Sequence, residues 1–164
     1  MELRSFCRDE YPRLTRFLDV YCGGDLAVAE ELAQETLARV WKNWRKVSHF
    51  QNPSAWAHRV AVNLANSHLR RRAAERRARD RASREAAPRS NDRSDAIALR
   101  EAVASLPTRM RSVLMFRYYL DLSYPQIADL LQVPESTARS LVHRALKRLR
   151  QEPAVQSFKE AFDV

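Results

Sequence analysis

Only two of the 164 residues are glycine, and they stand side by side as Gly23-Gly24. A chain this poor in glycine has little of the turn chemistry that tight hairpins need, so a strand-rich fold is disfavoured from the start. Ala, Leu, Arg and Glu dominate instead, and these are good helix formers. Apolar residues make up 45% of the chain, enough to pack a core. The expectation is an all-α protein.

The helical segments fall into two groups. Residues 1–72 form the first and residues 95–152 the second. Between them the stretch RRAAERRARDRASREAAPRSNDRSD holds no large apolar residue and no aromatic. It cannot bury a face, so residues 73–94 read as a flexible basic linker, with a helical start and a break at Pro88. Residues 153–164 form a tail that carries Phe158 and Phe162.

Local signals place the helices. Leu3, Phe6, Leu14, Phe17, Leu18 and Tyr21 suit a helical stripe that is interrupted near Pro12. After the glycines, Asp25 is a good N-cap for an amphipathic helix with Leu26, Ala29, Ala33, Leu37, Val40, Trp41 and Trp44 at three- and four-residue steps. Asn52-Pro53 opens a further helix, a cap followed by proline at the first helical position. In the second group a helix spans about Leu99 to Leu106, and Pro107 starts another. Ser123-Tyr124-Pro125-Gln126 fits a capping box. A last long helix runs from Glu135 to about Arg150.

The formal net charge is +9, and Arg outnumbers Lys. That excess favours a polyanion, and guanidinium forks suit phosphates and base edges better than ammonium groups do. Cys7 and Cys22 match neither a CxxC nor a zinc pattern and read as reduced thiols. No apolar run approaches a membrane span and the N-terminus lacks a signal core, so the expected location is cytoplasmic, without membrane insertion.

The most informative segment is LSYPQIADLLQVPESTARSLVHRALKRLR, Leu122 to Arg150. Two helices joined by a tight turn make a helix-turn-helix. Ile127, Ala128 and Leu131 pack the first helix, Val133 plugs the turn, and Ala138, Leu141, Val142, Ala145 and Leu149 pack the second. The set left outside is Glu135, Ser136, Thr137, Arg139, Ser140, His143, Arg144 and Lys147. Its first turns would enter a DNA major groove, where Arg pairs with guanine and Ser or Thr serves several bases. An ordinary helical hairpin with a solvated basic face is the competing reading.

Two further helices are less specific. EELAQETLARVWKNW, Glu30 to Trp44, reads from periodicity alone as a core helix. WAHRVAVNLANSHLRRR places His58, Arg59, Asn63, Asn66, Ser67 and Arg70 on one polar arc, suited to a nucleic-acid backbone or to plain solvent. Phe50 and Trp56 nearby are candidates to stack on unpaired bases. Catalytic patterns are missing: no glycine-rich phosphate loop, no HExxH and no GxSxG, so an enzyme is not expected.

With these segments in view, the chain resembles the extracytoplasmic-function (ECF) sigma factors of bacterial RNA polymerase. AEELAQETLARVWKNW, NPSAWAHRVAVNLANSHLRRR, LPTRMRSVLMFRYYLDLSYPQIADLL and VPESTARSLVHRALKRLR carry the likeness, which covers all but linker and tail. The resemblance implies a region 2 domain over 1–72 and a region 4 helix-turn-helix domain over 95–152. It implies that Glu31, Gln34, Glu35, Arg39 and Trp41 dock on the β′ clamp of core polymerase. It further implies that His58, Arg59, Asn63, Asn66, Ser67, Arg70 and Arg71 capture the melted minus-ten strand, with a flipped base held near Lys46 to Pro53. The exposed set of the last helix would read the minus-thirty-five duplex, while that domain also meets the β flap. An anti-sigma partner is implied, and no cofactor or metal. Gln132 stands where the family often has Gly, which calls for a left-handed backbone there. The rival readings are a stand-alone helix-turn-helix regulator and a helical adaptor.

Overall fold

The computed structural model describes residues 2–81 and 95–152. The fold is all-α. Helix α1 (Leu3–Tyr21) packs on α2 (Leu26–Lys42), and both pack on the long α4 (Pro53–Asp80), with the short α3 (Trp44–Val47) leading into α4. The second half holds α5 (Asp95–Ser105), α6 (Thr108–Leu114), α7 (Tyr124–Leu131) and α8 (Glu135–Gln151). α6 continues as a π turn over Met115–Tyr119.

The expected caps are present. Asp25 accepts from the Val28 amide, and Asn52 from the Ala55 amide. Ser123 and Gln126 exchange both bonds of the capping box at 2.8 and 3.4 Å. Each partners an amide that a helix start otherwise leaves to water. Gly23 and Gly24 both adopt positive φ, which lets their amides reach the Val20 and Asp19 carbonyls and close α1. A side chain on Gly23 would also crowd Ala104 at 3.2 Å.

One expectation fails in α1. The helix does not stop near Pro12 but runs through it. Pro12 is exposed and lies on a solvent-facing turn, and Leu14, Phe17 and Leu18 beyond it are fully buried. Burying those residues outweighs the roughly 3 kcal/mol that an interior proline costs. α4 extends to Asp80, so the first residues assigned to the linker are helical and exposed. The break assigned to Pro88 and the tail lie outside the described residues.

The two halves share one core. Leu14, Phe17 and Tyr21 of α1 belong to the same buried cluster as Val113, Phe116 and Leu149. A satellite cluster of Phe6, Val40 and Ala57, with Trp44 and Trp56 against it, closes the far end of the first half.

Candidate nucleic-acid interface

α8 sorts its residues cleanly. Ala138, Leu141, Val142, Ala145 and Leu149 are buried, while Glu135, Ser136, Arg139, Ser140, His143, Arg144 and Lys147 are exposed. The buried set packs on α6 and α7, so the exposed set points outward from a fixed scaffold. Thr137 is the exception: it is half-buried, in a cleft of about 190 Å³ that also touches Asn63 and Asn66. The turn before α8 has Gln132 in the left-handed conformation (φ 54°, ψ 48°), as its place in the motif requires. Arg139 Nη2 donates to Glu135 at 2.7 Å. Its guanidinium lies over the Tyr124 ring, 4.4 Å from the centroid.

α4 is less simple. Asn63, Ser67, Arg70 and Arg71 are exposed, and Arg59 is half-buried. Ser67 donates to the Asn63 carbonyl at 3.0 Å, and Arg70 to Ser67 at 3.2 Å. Asn66 is half-buried, and the Tyr21 hydroxyl donates to its amide oxygen at 2.6 Å. His58 does not join the polar arc. It is 1% exposed, and its Nδ1 lies 2.9 Å from the Ser54 carbonyl and 3.3 Å from Glu10. The sequence reading of His58 as a strand contact is therefore corrected: its ring stands edge-on to Phe17 inside the core. Burial holds its pKa below the usual histidine value, and Arg13 pushes the same way against Glu10 and the Ser54 carbonyl. Phe50 and Trp56 sit 6.1 Å apart and are each half-buried.

α2 turns Glu31, Gln34, Glu35, Arg39 and Trp41 to solvent, with Trp41 66% exposed. Glu35 and Arg39 pair at 3.0 Å one turn apart. A groove of about 580 Å³ separates this ridge from α4, bounded by Glu31 and Glu35 on one side and Ser67 and Arg71 on the other. The ridge and the polar face of α4 are thus the two banks of one groove.

A site the sequence reading missed joins the halves. Arg111 is 6% exposed and donates to the carbonyls of Tyr21, Ala104 and Leu106. Its guanidinium also lies 5.2 Å from the Tyr21 ring centroid. The Tyr21 hydroxyl meets Ser112 at 2.9 Å as well as Asn66. Arg100 and Asp19 add an ion pair at 3.2 Å. A signal existed for Glu10, a carboxylate on the same helical stripe as Phe6 and Phe17; none existed for Arg111, whose partners are distant in sequence.

Residues 6–75 match the family model for Sigma-70 region 2, and residues 96–149 match that for Sigma-70, region 4. An ECF RNA polymerase sigma factor, SigL of Mycobacterium tuberculosis, is 32% identical over 134 residues, covering 77% of this chain and 75% of the relative. The chain belongs to the ECF sigma-factor family. This sigma factor therefore binds core RNA polymerase and directs promoter recognition, and the stand-alone regulator is not favoured. The RNA polymerase sigma-E factor of Streptomyces antibioticus is 29% identical, with 76% and 69% of the two chains covered. SigW of Bacillus subtilis is 25% identical, with 79% and 77% covered. The sigma factor RpoE, solved with the anti-sigma factor NepR from Bartonella quintana, shares the fold: TM-score 0.71, 23% identity, 90% of this chain and 94% of that one. Among the described residues of this sigma factor no helix is long and apolar enough to cross a membrane.

Proposed function

We propose that this sigma factor divides promoter recognition among three faces. The exposed ridge of α2, Glu31, Gln34, Glu35, Arg39 and Trp41, docks on the β′ clamp. The polar face of α4, Arg59, Asn63, Asn66, Ser67, Arg70 and Arg71, holds the melted minus-ten strand. The open face of α8 reads the minus-thirty-five duplex, with Arg139 against a guanine, and the same domain meets the β flap. The two family-model matches support residues 1–72 and 95–152 as the working domains, with 73–94 as the span between them.

The observation that carries this reading is the sorting of α8, where one face is buried and the opposite face offers Arg139, Arg144 and Lys147 beside Ser136 and Ser140. Phosphates supply most of the affinity and base edges the choice, so binding should fall steeply with salt. The factor works in the cytoplasm and catalyses no reaction of its own. An anti-sigma protein silences it, by analogy with the partner of the structurally similar RpoE. The test is run-off transcription by core polymerase plus this factor on a promoter library, with Trp41→Ala and Arg139→Ala alongside. Trp41→Ala should weaken binding to core, and Arg139→Ala should spare that binding but relax minus-thirty-five choice. Variants that transcribe like the parent, with unchanged promoter choice, would remove the assignment.

A further inference from the structure

The groups beside Arg139 form a connected set. Tyr124 is the first residue of α7, and the Ser123–Gln126 capping box fixes the backbone there. Pro125 stiffens the same turn. The Tyr124 ring is half-buried and lies near two guanidiniums, Arg139 at 4.4 Å and Arg117 at 5.4 Å from its centroid. Arg117 is itself anchored: its Nη1 donates to the Leu122 carbonyl at 3.2 Å and lies 3.5 Å from the Asp121 carboxylate. Glu135, one turn before Arg139 on α8, takes a hydrogen bond from Arg139 Nη2.

A free arginine side chain samples many rotamers, and ordering one on DNA costs roughly 0.5–1.5 kcal/mol. Here the ring and the carboxylate hold the guanidinium before DNA arrives. The bond to Glu135 occupies one of the five N–H donors of Arg139, which leaves the others for a base edge. The ring belongs to the first helix of the helix-turn-helix and the arginine to the second. The contact therefore spans the turn at Gln132, from α7 to α8.

We propose that Tyr124 is a specificity-positioning residue: its aromatic face, with Glu135, preorganises Arg139 for one base pair of the minus-thirty-five element. This inference rests on the assignment of α8 as the duplex reader. Tyr124 makes no base contact in this scheme; it acts through Arg139. Its removal lowers selectivity at the Arg139 base pair and leaves the other positions as they are.

The experiment uses the full chain in RNA polymerase holoenzyme on a promoter library randomised across the minus-thirty-five element. Enrichment at each position is compared for the parent, Arg139→Ala, Tyr124→Ala, Tyr124→Leu, Tyr124→Phe and the double variant Tyr124→Ala/Arg139→Ala. Arg139→Ala should cut discrimination at one base pair by about 5- to 140-fold, the range of a good bidentate contact. Tyr124→Ala should cut it at that same base pair by about two- to fivefold, the worth of an exposed cation–π contact. Tyr124→Leu keeps apolar bulk without an aromatic face and should match Tyr124→Ala, whereas Tyr124→Phe should match the parent. In the double variant the tyrosine change should add nothing. If Arg139→Ala alters no position, the α8 assignment fails and the inference falls with it. If Arg139→Ala acts but Tyr124→Leu does not, the inference alone is overturned. A uniform loss at every position, or a full extra loss in the double variant, would also overturn it by making Tyr124 a fold element or an independent DNA contact.

Discussion

The molecule uses an arginine over a tyrosine in two places, and the two differ in almost everything else. Arg111 over Tyr21 is buried where the halves meet; its Nη1 and Nη2 donate to backbone carbonyls, while its Nε is buried without a partner among the described residues. Arg139 over Tyr124 lies on the outer face of the helix-turn-helix, with the arginine side chain 60% exposed and paired to a carboxylate. Burial removes competing water and makes each unsatisfied group costly. Exposure leaves the guanidinium free to trade partners. The inner pair therefore serves cohesion, while the outer pair is the one proposed for recognition, although the residue types are the same.

The difference also reaches the two faces proposed to contact DNA. The α8 face is open, but on α4 Asn66 is already engaged by Tyr21, and the Asn63–Asn66 side of α4 shares a cleft with Thr137 of α8. In this closed arrangement the face proposed for the melted strand is partly covered by the half proposed for the duplex.

The largest effect is expected at the inner pair. Arg111→Met keeps bulk but strands the Tyr21, Ala104 and Leu106 carbonyls, and should cost about 3 kcal/mol of unfolding free energy by urea titration. A loss below about 0.5 kcal/mol, the scale of an ordinary surface change, would erase the contrast between the pairs. Tyr21→Phe removes the hydroxyl that serves Asn66 and Ser112, and should cost about 1–2 kcal/mol. Because it frees the Asn66 amide, it should tighten binding of a single-stranded minus-ten oligonucleotide; weaker binding would place Tyr21 in the strand site itself.

At the outer pair the stability effect should be small. Arg139→Ala loses an exposed ion pair and should shift unfolding by less than about 0.5 kcal/mol, while relaxing promoter choice. A second measure separates the pairs without DNA. Burial pushes the Cys22 thiol up to about 11, so its alkylation near pH 8 should be slow in the parent. The Arg111 charge pulls that pKa down against burial, so Arg111→Met should slow the reaction further while Arg139→Ala leaves it unchanged, read peptide by peptide in a mass spectrometer.

The smallest expected effect is on pH dependence. Burial lowers the pKa of His58 in the folded chain, so the unfolded chain binds more protons as pH falls past the usual histidine value of about 6.5. Stability is thus fully present above that value and declines below it. His58→Gln should flatten the decline in urea titrations run between pH 7 and pH 5; an unchanged slope would assign it to other groups.

Much of the fold was legible because its signals are local. Asp25, Asn52-Pro53 and the Ser123–Gln126 box act within one helical turn, whereas the αL turn at Gln132 was expected only from the family resemblance. The face of α8 was legible too, since large residues such as Leu141, Val142 and Leu149 mark its buried side. The face of α4 was not. Its buried side is carried largely by Ala55, Ala57, Ala61 and Ala65, whose small side chains give a weak stripe. A histidine at its edge then passed for part of the polar arc, and only packing against Phe17 and Glu10 put it inside.

The sequence by itself determined that this protein is helical, where the helices capped by Asp25, Asn52 and Ser123 begin, and that its last helix carries an open basic face. Those properties follow from interactions a few residues long. Only the tertiary structure decided that α1 passes through Pro12, that His58 is internal, and that Arg111 and Tyr21 tie the halves together. The Tyr21 bonds to Asn66 and Ser112 join residues 45 and 91 positions apart, and the Arg111 bond to Tyr21 joins residues 90 apart. Contacts across such separations leave no periodic trace, because they depend on how whole helices are brought together.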